Sequence, residues 1–318
     1  FSPVEQDLGI DCFSVITDYQ AIPKRERTYN QDVSRQVQTL CTALEAAETD
    51  EDMFRLVTDY YRQYGYGVFA TNRAFRIQHE TDTRVVFLPI SNIDGVVLDD
   101  LLGYDLQKKA LRENTEAFLA GNRANNVLLY GDAGTGKSTS VKALINEYYD
   151  RGLRMIEIYK HQFGDLSAIL GHIKNRNYRF MIFIDDLSFQ RDDDNFSALK
   201  AILEGSVSAK SRNVVIYATS NRRHLVKETF SSREGDEVHR NDTLQEIISL
   251  SERFGIQVTF QKPTKQVYLG IVHHLAKEKG IDMPENELDM LAERYALGRG
   301  GRSARAATQF IDGLLAKP

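Results

Sequence analysis

The stretch Val127-Leu128-Leu129-Tyr130-Gly131-Asp132-Ala133-Gly134-Thr135-Gly136-Lys137-Ser138 decides the fold. An apolar run leads into the pattern G-x-x-x-x-G-K-[ST]. Val141, Leu144, Ile145 and Tyr148 then recur at helical spacing. A strand, a phosphate-binding loop and a helix are expected in that order. The glycines let backbone N–H groups curl around phosphate oxygens. Lys137 is placed to reach the β- and γ-phosphates of a nucleotide and Ser138 to hold Mg²⁺. The helix that opens there adds the positive end of its dipole. ATP and Mg²⁺ are the ligands this pattern implies.

Two further runs extend the pattern. Phe180-Met181-Ile182-Phe183-Ile184 is a continuous apolar strand that ends in Asp185-Asp186. A buried parallel strand delivers its last residues to the carboxyl edge of the sheet, beside the phosphate loop. Asp185 is then a Mg²⁺ partner through the metal's water shell. Asp186 is the residue to orient or deprotonate an attacking water. Val214-Val215-Ile216-Tyr217-Ala218-Thr219-Ser220-Asn221 ends in an amide. Asn221 can touch the γ-phosphate or the attacking water, or cap the next helix.

Around these runs the chain alternates strands and helices from Val96. Strands are expected at 126–130, 154–159, 180–184, 214–218 and 256–260, giving a five-stranded parallel sheet covered on both faces. Residues 1–95 read as a separate N-terminal α+β region. It holds a helix around Val33–Leu44 and a second from Thr49 to about Arg62. Two strands follow, Phe69–Ile77 and Val85–Ile90. Residues 96–262 form the nucleotide-binding core, with a polar loop at Lys227–Asp242. Residues 263–318 form a helical lid with helices at 264–279, 285–297 and 302–315, broken at Gly280 and at Gly298–Gly301.

Composition bounds the partners. The 318 residues carry a net charge of −5, which argues against broad electrostatic capture of nucleic acid. Two cysteines, Cys12 and Cys41, lack metal spacing and fit a reduced, cytoplasmic setting. No apolar run approaches the roughly 18 residues of a membrane helix, so no membrane partner is expected. Phe1 opens the chain without a methionine, as a trimmed start would.

The order of phosphate loop, carboxylate-ended strand, Asn-ended strand and helical tail resembles the AAA+ ATPases. The runs Asn125-Asn126-Val127-Leu128-Leu129, Asp185-Asp186-Leu187-Ser188-Phe189, Tyr217-Ala218-Thr219-Ser220-Asn221-Arg222-Arg223-His224-Leu225 and Ser249-Leu250-Ser251-Glu252-Arg253-Phe254-Gly255 resemble a bacterial AAA+ group catalogued as a domain of unknown function. The resemblance covers about residues 96 to 318 and implies specific roles. Asp100-Leu101-Leu102-Gly103 is implied to lie against adenine, with Leu102 and Gly103 as contacts. Gly131 to Ser138 is implied as Walker A, and Asp185 with Asp186 as Walker B. Asn221 matches sensor 1, and Arg253 the arginine finger that reaches a neighbouring subunit's γ-phosphate. Arg305 matches the sensor 2 arginine, with Arg299 and Arg302 as competing candidates. A homo-oligomer in which assembly switches on hydrolysis is implied, since a finger supplied in trans can be worth about 10³–10⁵ in rate. A surface salt bridge is the alternative for Arg253.

Two departures shape the functional reading. Most AAA+ proteins carry Glu where this chain has Asp186, so a low basal rate is expected. The segment Tyr159–Asp165 offers only Phe163-Gly164 where protein-unfolding relatives place a pore loop, and Phe163 is expected to pack beneath the sheet. His273-His274 lacks partners at ligand spacing and reads as half-buried lid surface. Arg191-Asp192-Asp193-Asp194 lacks the alternating carboxylates of a calcium loop. The leading expectation is an ATPase that remodels a macromolecular partner, whether protein or nucleic acid. The alternative is a nucleotide-gated assembly switch resembling helicase loaders. A small-molecule kinase lacks an acceptor pocket in the sequence.

Overall fold

Continuous apolar runs become buried strands, and their alternation sorts side chains onto two faces. The computed structural model describes residues 31–81, 84–91, 93, 95–188, 199–200, 202–203, 212–221 and 250–316. Its strands are β1 (Ala74–Thr81), β2 (Arg84–Pro89), β3 (Val127–Gly131), β4 (Leu153–Ile158), β5 (Arg179–Ile184), β6 (Val214–Ser220) and β7 (Ile256–Phe260). Its helices are α1 (Gln31–Glu45), α2 (Asp50–Tyr64), α3 (Val68–Thr71), α4 (Asp105–Leu119), α5 (Lys137–Tyr148), α6 (Leu166–Ile173), α7 (Lys265–Glu278), α8 (Glu285–Gly298) and α9 (Ala304–Leu315). The expected loop at 227–242, the charge run at 191–194 and Cys12 lie outside the described residues.

The strands join in the order β2-β1-β4-β5-β6-β3-β7. Every neighbouring pair is parallel except β1 with β2. The expectation of five strands is therefore corrected to seven. The two extra strands are those read into the N-terminal region. β1 lies parallel to β4, pairing Ala74 with Met155, Phe75 with Ile156 and Arg76 with Glu157. Ala74 and Phe75 are fully buried against the core. Alternation marks a strand but not its partner, which is why the sequence left this ladder unassigned. The expected strand at 69–77 is also shorter, because Val68–Thr71 closes a helical turn that buries Phe69 and Ala70.

The two faces are separately packed. Val127, Leu129, Met155, Met181, Phe183 and Tyr217 meet Leu111 and Phe118 of α4 and Val141, Leu144 and Ile145 of α5. Leu128, Ile156, Ile182 and Ile216 point the other way, onto Leu166, Ile169 and Ile173 of α6. Each such Leu or Ile stabilises the fold by about 1.5–3 kcal/mol relative to exposure. A third cluster, built on Tyr268, Val272, Ala292, Ala307 and Ile311, is the core of the three-helix lid. The lid helices start at side-chain caps: Thr264 accepts from the Val267 amide, and Ser303 from the Ala306 amide. Among the described residues no helix is long and apolar enough to cross a membrane.

Candidate functional site

The carboxyl ends of β3, β5 and β6 bring the three sequence motifs to one edge of the sheet. β3 finishes at Gly131, whose φ is +137°. A Cβ there would sit 1.9 Å from the Phe260 carbonyl oxygen, so the loop can leave the sheet only through glycine. Gly134 has φ +75°, and Gly136 has φ +95° as the N-cap of α5. Gly136 supplies no side-chain cap, which leaves the first-turn amides of α5 to serve an anion.

Lys137 is 6% exposed and folds along this loop. Its Nζ donates to the carbonyls of Gly131 (3.0 Å) and Asp132 (2.7 Å) and to Asn221 Oδ1 (3.0 Å). Burial pushes its pKa below the ordinary lysine value. Asp132, Asp186 and Asp185 oppose that shift, and Arg305 adds to it. Asn221 Nδ2 donates to Asp186 Oδ1 at 2.8 Å. One amide therefore bridges the ammonium of the phosphate loop to the second aspartate of β5.

Asp186 stands in a left-handed conformation, φ +53°. Thr219 pins it there: the Asp186 amide donates to Thr219 Oγ1 (3.0 Å) and the Leu187 amide to the Thr219 carbonyl (2.7 Å). Asp185 Oδ1 accepts from Ser138 Oγ (2.6 Å) and from Thr219 Oγ1 (2.5 Å). The carboxylate and the Ser138 hydroxyl are hard oxygen donors in contact, which fits Mg²⁺. Among the described residues no group of three or more His, Cys, Asp or Glu could hold a metal alone. A cation bound here would depend on phosphate and water oxygens as well, as Mg²⁺ ordinarily does.

A cleft of about 880 Å³ opens above these groups. Ala133, Gly134, Thr135, Gly136, Lys137 and Ser138 floor one end, with Asp185, Asp186 and Asn221 beside them. Leu102 also lines the cleft and packs on the core of the C-terminal helices. Gly103, φ +79°, follows it beneath the lid, where a Cβ would lie 3.1 Å from Val267 Cγ1. Arg305 lines the cleft from α9, and its amide donates to the Gly134 carbonyl at 3.3 Å. Arg302 is instead held by both oxygens of Glu293 (2.8 and 2.6 Å), and Arg299 lies over the Tyr295 ring.

Three expected site residues, Gly103, Asp132 and Arg253, are not among those that line the cleft. Asp132 turns its carboxylate to the Lys262 amide (3.0 Å) and meets Lys137 through its carbonyl (2.7 Å). Arg253 is half-buried just before β7. β7 runs parallel to β3 in the register Val127↔Ile256 to Gly131↔Phe260. At about 3.3 Å per residue, the start of β7, three residues after Arg253, lies about 13 Å along the sheet from the end at which the phosphate loop begins.

Sequence reasoning missed Thr219, whose signal was a polar residue two before the Asn that ends an apolar strand. It also missed the lid wall. Ile271, His274, Leu275 and Glu278 line the cleft at helical spacing along α7, with Thr308 from α9. The histidine pair divides: His273 bonds Asp289 at 2.6 Å, and its neighbour His274 faces the cleft. Phe163 is 1% exposed, packed in the core beneath the sheet.

The family model described as protein of unknown function, DUF815, matches residues 70–318. The chain belongs to this family. The DUF815 segment takes in β1, the whole sheet, the phosphate loop and the lid. Its sheet order sets β3, which carries the loop, between β6 and β7, with β5 beyond β6. The chain is also 26% identical over 128 residues to the replication factor C large subunit of Methanococcus vannielii, covering 39% of this chain and 26% of that one. Among solved structures it is similar to the Thermotoga maritima RuvB Holliday junction branch migration motor. That match has 20% identity, a TM-score of 0.48 and coverage of 68% of this chain and 63% of that one. A replication initiator DnaA bound to AMPPCP and single-stranded DNA matches at 19% identity and a TM-score of 0.46, covering 70% and 65%. The DUF815 chain thus spans about a quarter of its curated relative and under two thirds of these solved chains.

Proposed function

We propose that this protein binds ATP with Mg²⁺ in the cleft beneath the lid, hydrolyses it to ADP and phosphate, and couples that turnover to remodelling of a macromolecular partner. The observation that carries the reading is the relay Lys137–Asn221–Asp186, set beside the Ser138–Asp185 contact. In it, phosphate-binding, water-orienting and metal-binding groups meet at one helix N-terminus. Lys137 and the α5 amides hold the phosphates. Asp186 accepts a proton from, or orients, the attacking water, and Asn221 couples its position to the phosphate end. Ser138 and Asp185 would hold Mg²⁺, which supplies charge neutralisation at the phosphates when bound. In this reading Leu102, which lines the cleft, and Gly103 beside it serve the nucleoside, and Arg305 serves the phosphates.

Arg253 completes the site from a second copy. Its place beyond the start of β7, away from its own loop, supports a finger that acts in trans within a homo-oligomer sharing the site. The setting is cytoplasmic. A second reading is a nucleotide-gated assembly switch with weak hydrolysis. It is favoured by the short acid at 186 and by Phe163 being buried rather than offered to a substrate. The test is ATP binding, turnover and light scattering on two variants. Lys137→Ala is expected to lose ATP binding. Asp186→Asn is expected to bind ATP, assemble and stop turning over. Parental turnover by Asp186→Asn would refute the mechanism. Tight assembly by the parent with negligible turnover would favour the switch.

A further inference from the structure

The signature runs of this chain contain residues that the nucleotide cleft does not use. Asn125, Tyr217 and Gly255 belong to the runs that carry the resemblance, yet none of them lines the cleft. They meet at the opposite edge of the sheet. The buried Asn114 amide donates to the Asn125 carbonyl (3.0 Å) and to the Tyr217 hydroxyl (2.9 Å), and its oxygen accepts from the Asn125 amide (2.9 Å). Thr115 shares the Tyr217 hydroxyl at 2.9 Å. Both backbone groups of Asn125 are therefore clamped by one side chain, itself 6% exposed.

Clamping Asn125 fixes what can pass over it. A Cβ on Gly255 would lie 2.5 Å from Asn125 Oδ1, 2.7 Å from its Cγ and 2.9 Å from its Cβ. Turning the Asn125 side chain removes the first two conflicts but not the third, because the backbone below is held from both sides. Gly255 ends the turn that carries Arg253. Leu250 and Phe254, buried at 0% and 2%, anchor that turn in the core, and Gln257 Nε2 donates to the Ser251 carbonyl at 2.8 Å. The Ile256 amide then joins the Asn126 carbonyl at 3.2 Å to start β7.

We propose that Asn114, Asn125 and Gly255 form a seat that positions Arg253 for the site of the neighbouring copy. This rests on the reading of Arg253 as a finger supplied in trans. Gly255 is needed because the turn must lie directly on the Asn125 side chain. With the Asn125 side chain turned aside, restoring an ordinary 3.4 Å contact to its Cβ from 2.9 Å takes about 0.5 Å of movement, carried within two residues to the arginine. Misplacement of a catalytic group by 1 Å can cost about 10²-fold in rate, so half of that costs about tenfold.

The test measures steady-state turnover, ATP affinity and ATP-dependent assembly for Arg253→Ala, Gly255→Ala and the double variant Asn125→Gly/Gly255→Ala. Gly255→Ala is expected to lose about tenfold in turnover while its ATP affinity and assembly match the parent. The double variant, which removes all three conflicting atoms, is expected to recover most of that loss. Equal mixing of Gly255→Ala with Asp186→Asn subunits is expected to recover about a quarter of parental turnover, because the former keeps its site and the latter its finger. Should Gly255→Ala fail to fold, Gln257→Ala, at an exposed residue, is expected to lose about fivefold in turnover with unchanged ATP affinity. The proposal is overturned if Arg253→Ala is slow while Gly255→Ala, or in its place Gln257→Ala, turns over at the parental rate. Loss of turnover that Asn125→Gly does not relieve overturns it as well. If Arg253→Ala itself turns over at the parental rate, the reading of a shared site falls and this seat falls with it.

Discussion

Replacing Asp186 with glutamate, the residue most AAA+ proteins carry there, is expected to harm this protein. Residue 186 has φ +53°, and Thr219 holds it there by bonds to the amides of residues 186 and 187 at 3.0 and 2.7 Å. Left-handed backbone costs an ordinary L-residue about 1–2 kcal/mol, and Asp and Asn escape part of that through local hydrogen bonds of their short side chains. Glutamate takes the full strain, and its extra methylene carries the carboxylate past Asn221, which now donates at 2.8 Å. A net loss of about 1 kcal/mol lowers Tm by about 2–4 °C in a folded unit of this size. Asp186→Asn keeps both the backbone tolerance and the acceptor, so its Tm is expected within about 1 °C of the parent. The assay is calorimetry of the three nucleotide-free proteins, followed by phosphate release with saturating ATP and Mg²⁺. The expected pattern is a lower Tm with at least tenfold slower turnover for Glu, and an unchanged Tm with no turnover for Asn. A Glu variant that melts with the parent and hydrolyses faster would show that backbone geometry does not dictate the short acid.

Because burial lowers the Lys137 pKa, and bound phosphates raise it again, the complex holds the Lys137 proton more tightly than the free protein does. ATP affinity should accordingly be flat at neutral pH and fall as pH rises through the free-protein value, starting below the 10.5 of an ordinary lysine. Titration calorimetry across pH 7 to about 10 measures this, and flat affinity over the whole stable range would contradict it. Gly134→Ala sets a side chain at φ +75°, 3.1 Å from Arg305 Cβ and 3.2 Å from Ser303 Oγ, where the lid rests on the loop. At least a tenfold loss of ATP affinity is expected, and parental affinity in the same calorimeter would mean that lid and loop are not coupled there.

What the sequence made legible was local. The phosphate loop, the aspartates after β5 and Asn221 after β6 were readable because each lies at the end of a continuous apolar run, and such a run has one exit from a parallel sheet. The lid helices were readable from apolar repeats and breakers: Gly280 stands two residues past the observed end of α7, and the Gly298–Gly301 cluster starts at the last residue of α8, ahead of α9. What stayed hidden was non-local. β1 and β2 were visible as strands, but nothing in their alternation says that Ala74 pairs with Met155. Asp132 sits in the loop pattern yet faces Lys262, because the loop's turn, not its composition, aims that side chain. His274 looked like its neighbour His273 until α7 was placed, when one turned to Asp289 and the other to the cleft. Gly255 read as one residue of a signature, and its reason appeared only when Asn125 was found beneath it.

The central claim is that one ATP site is built from two copies of the chain. Equal amounts of Arg253→Ala subunits, which keep the cleft, and Asp186→Asn subunits, which keep the finger, test it in a single turnover assay. Each is expected to be inactive alone, while the mixture recovers about a quarter of parental turnover, from the one pairing in four that joins an intact cleft to an intact finger. A mixture as inactive as its two components, under conditions where light scattering shows them co-assembled, would contradict the account.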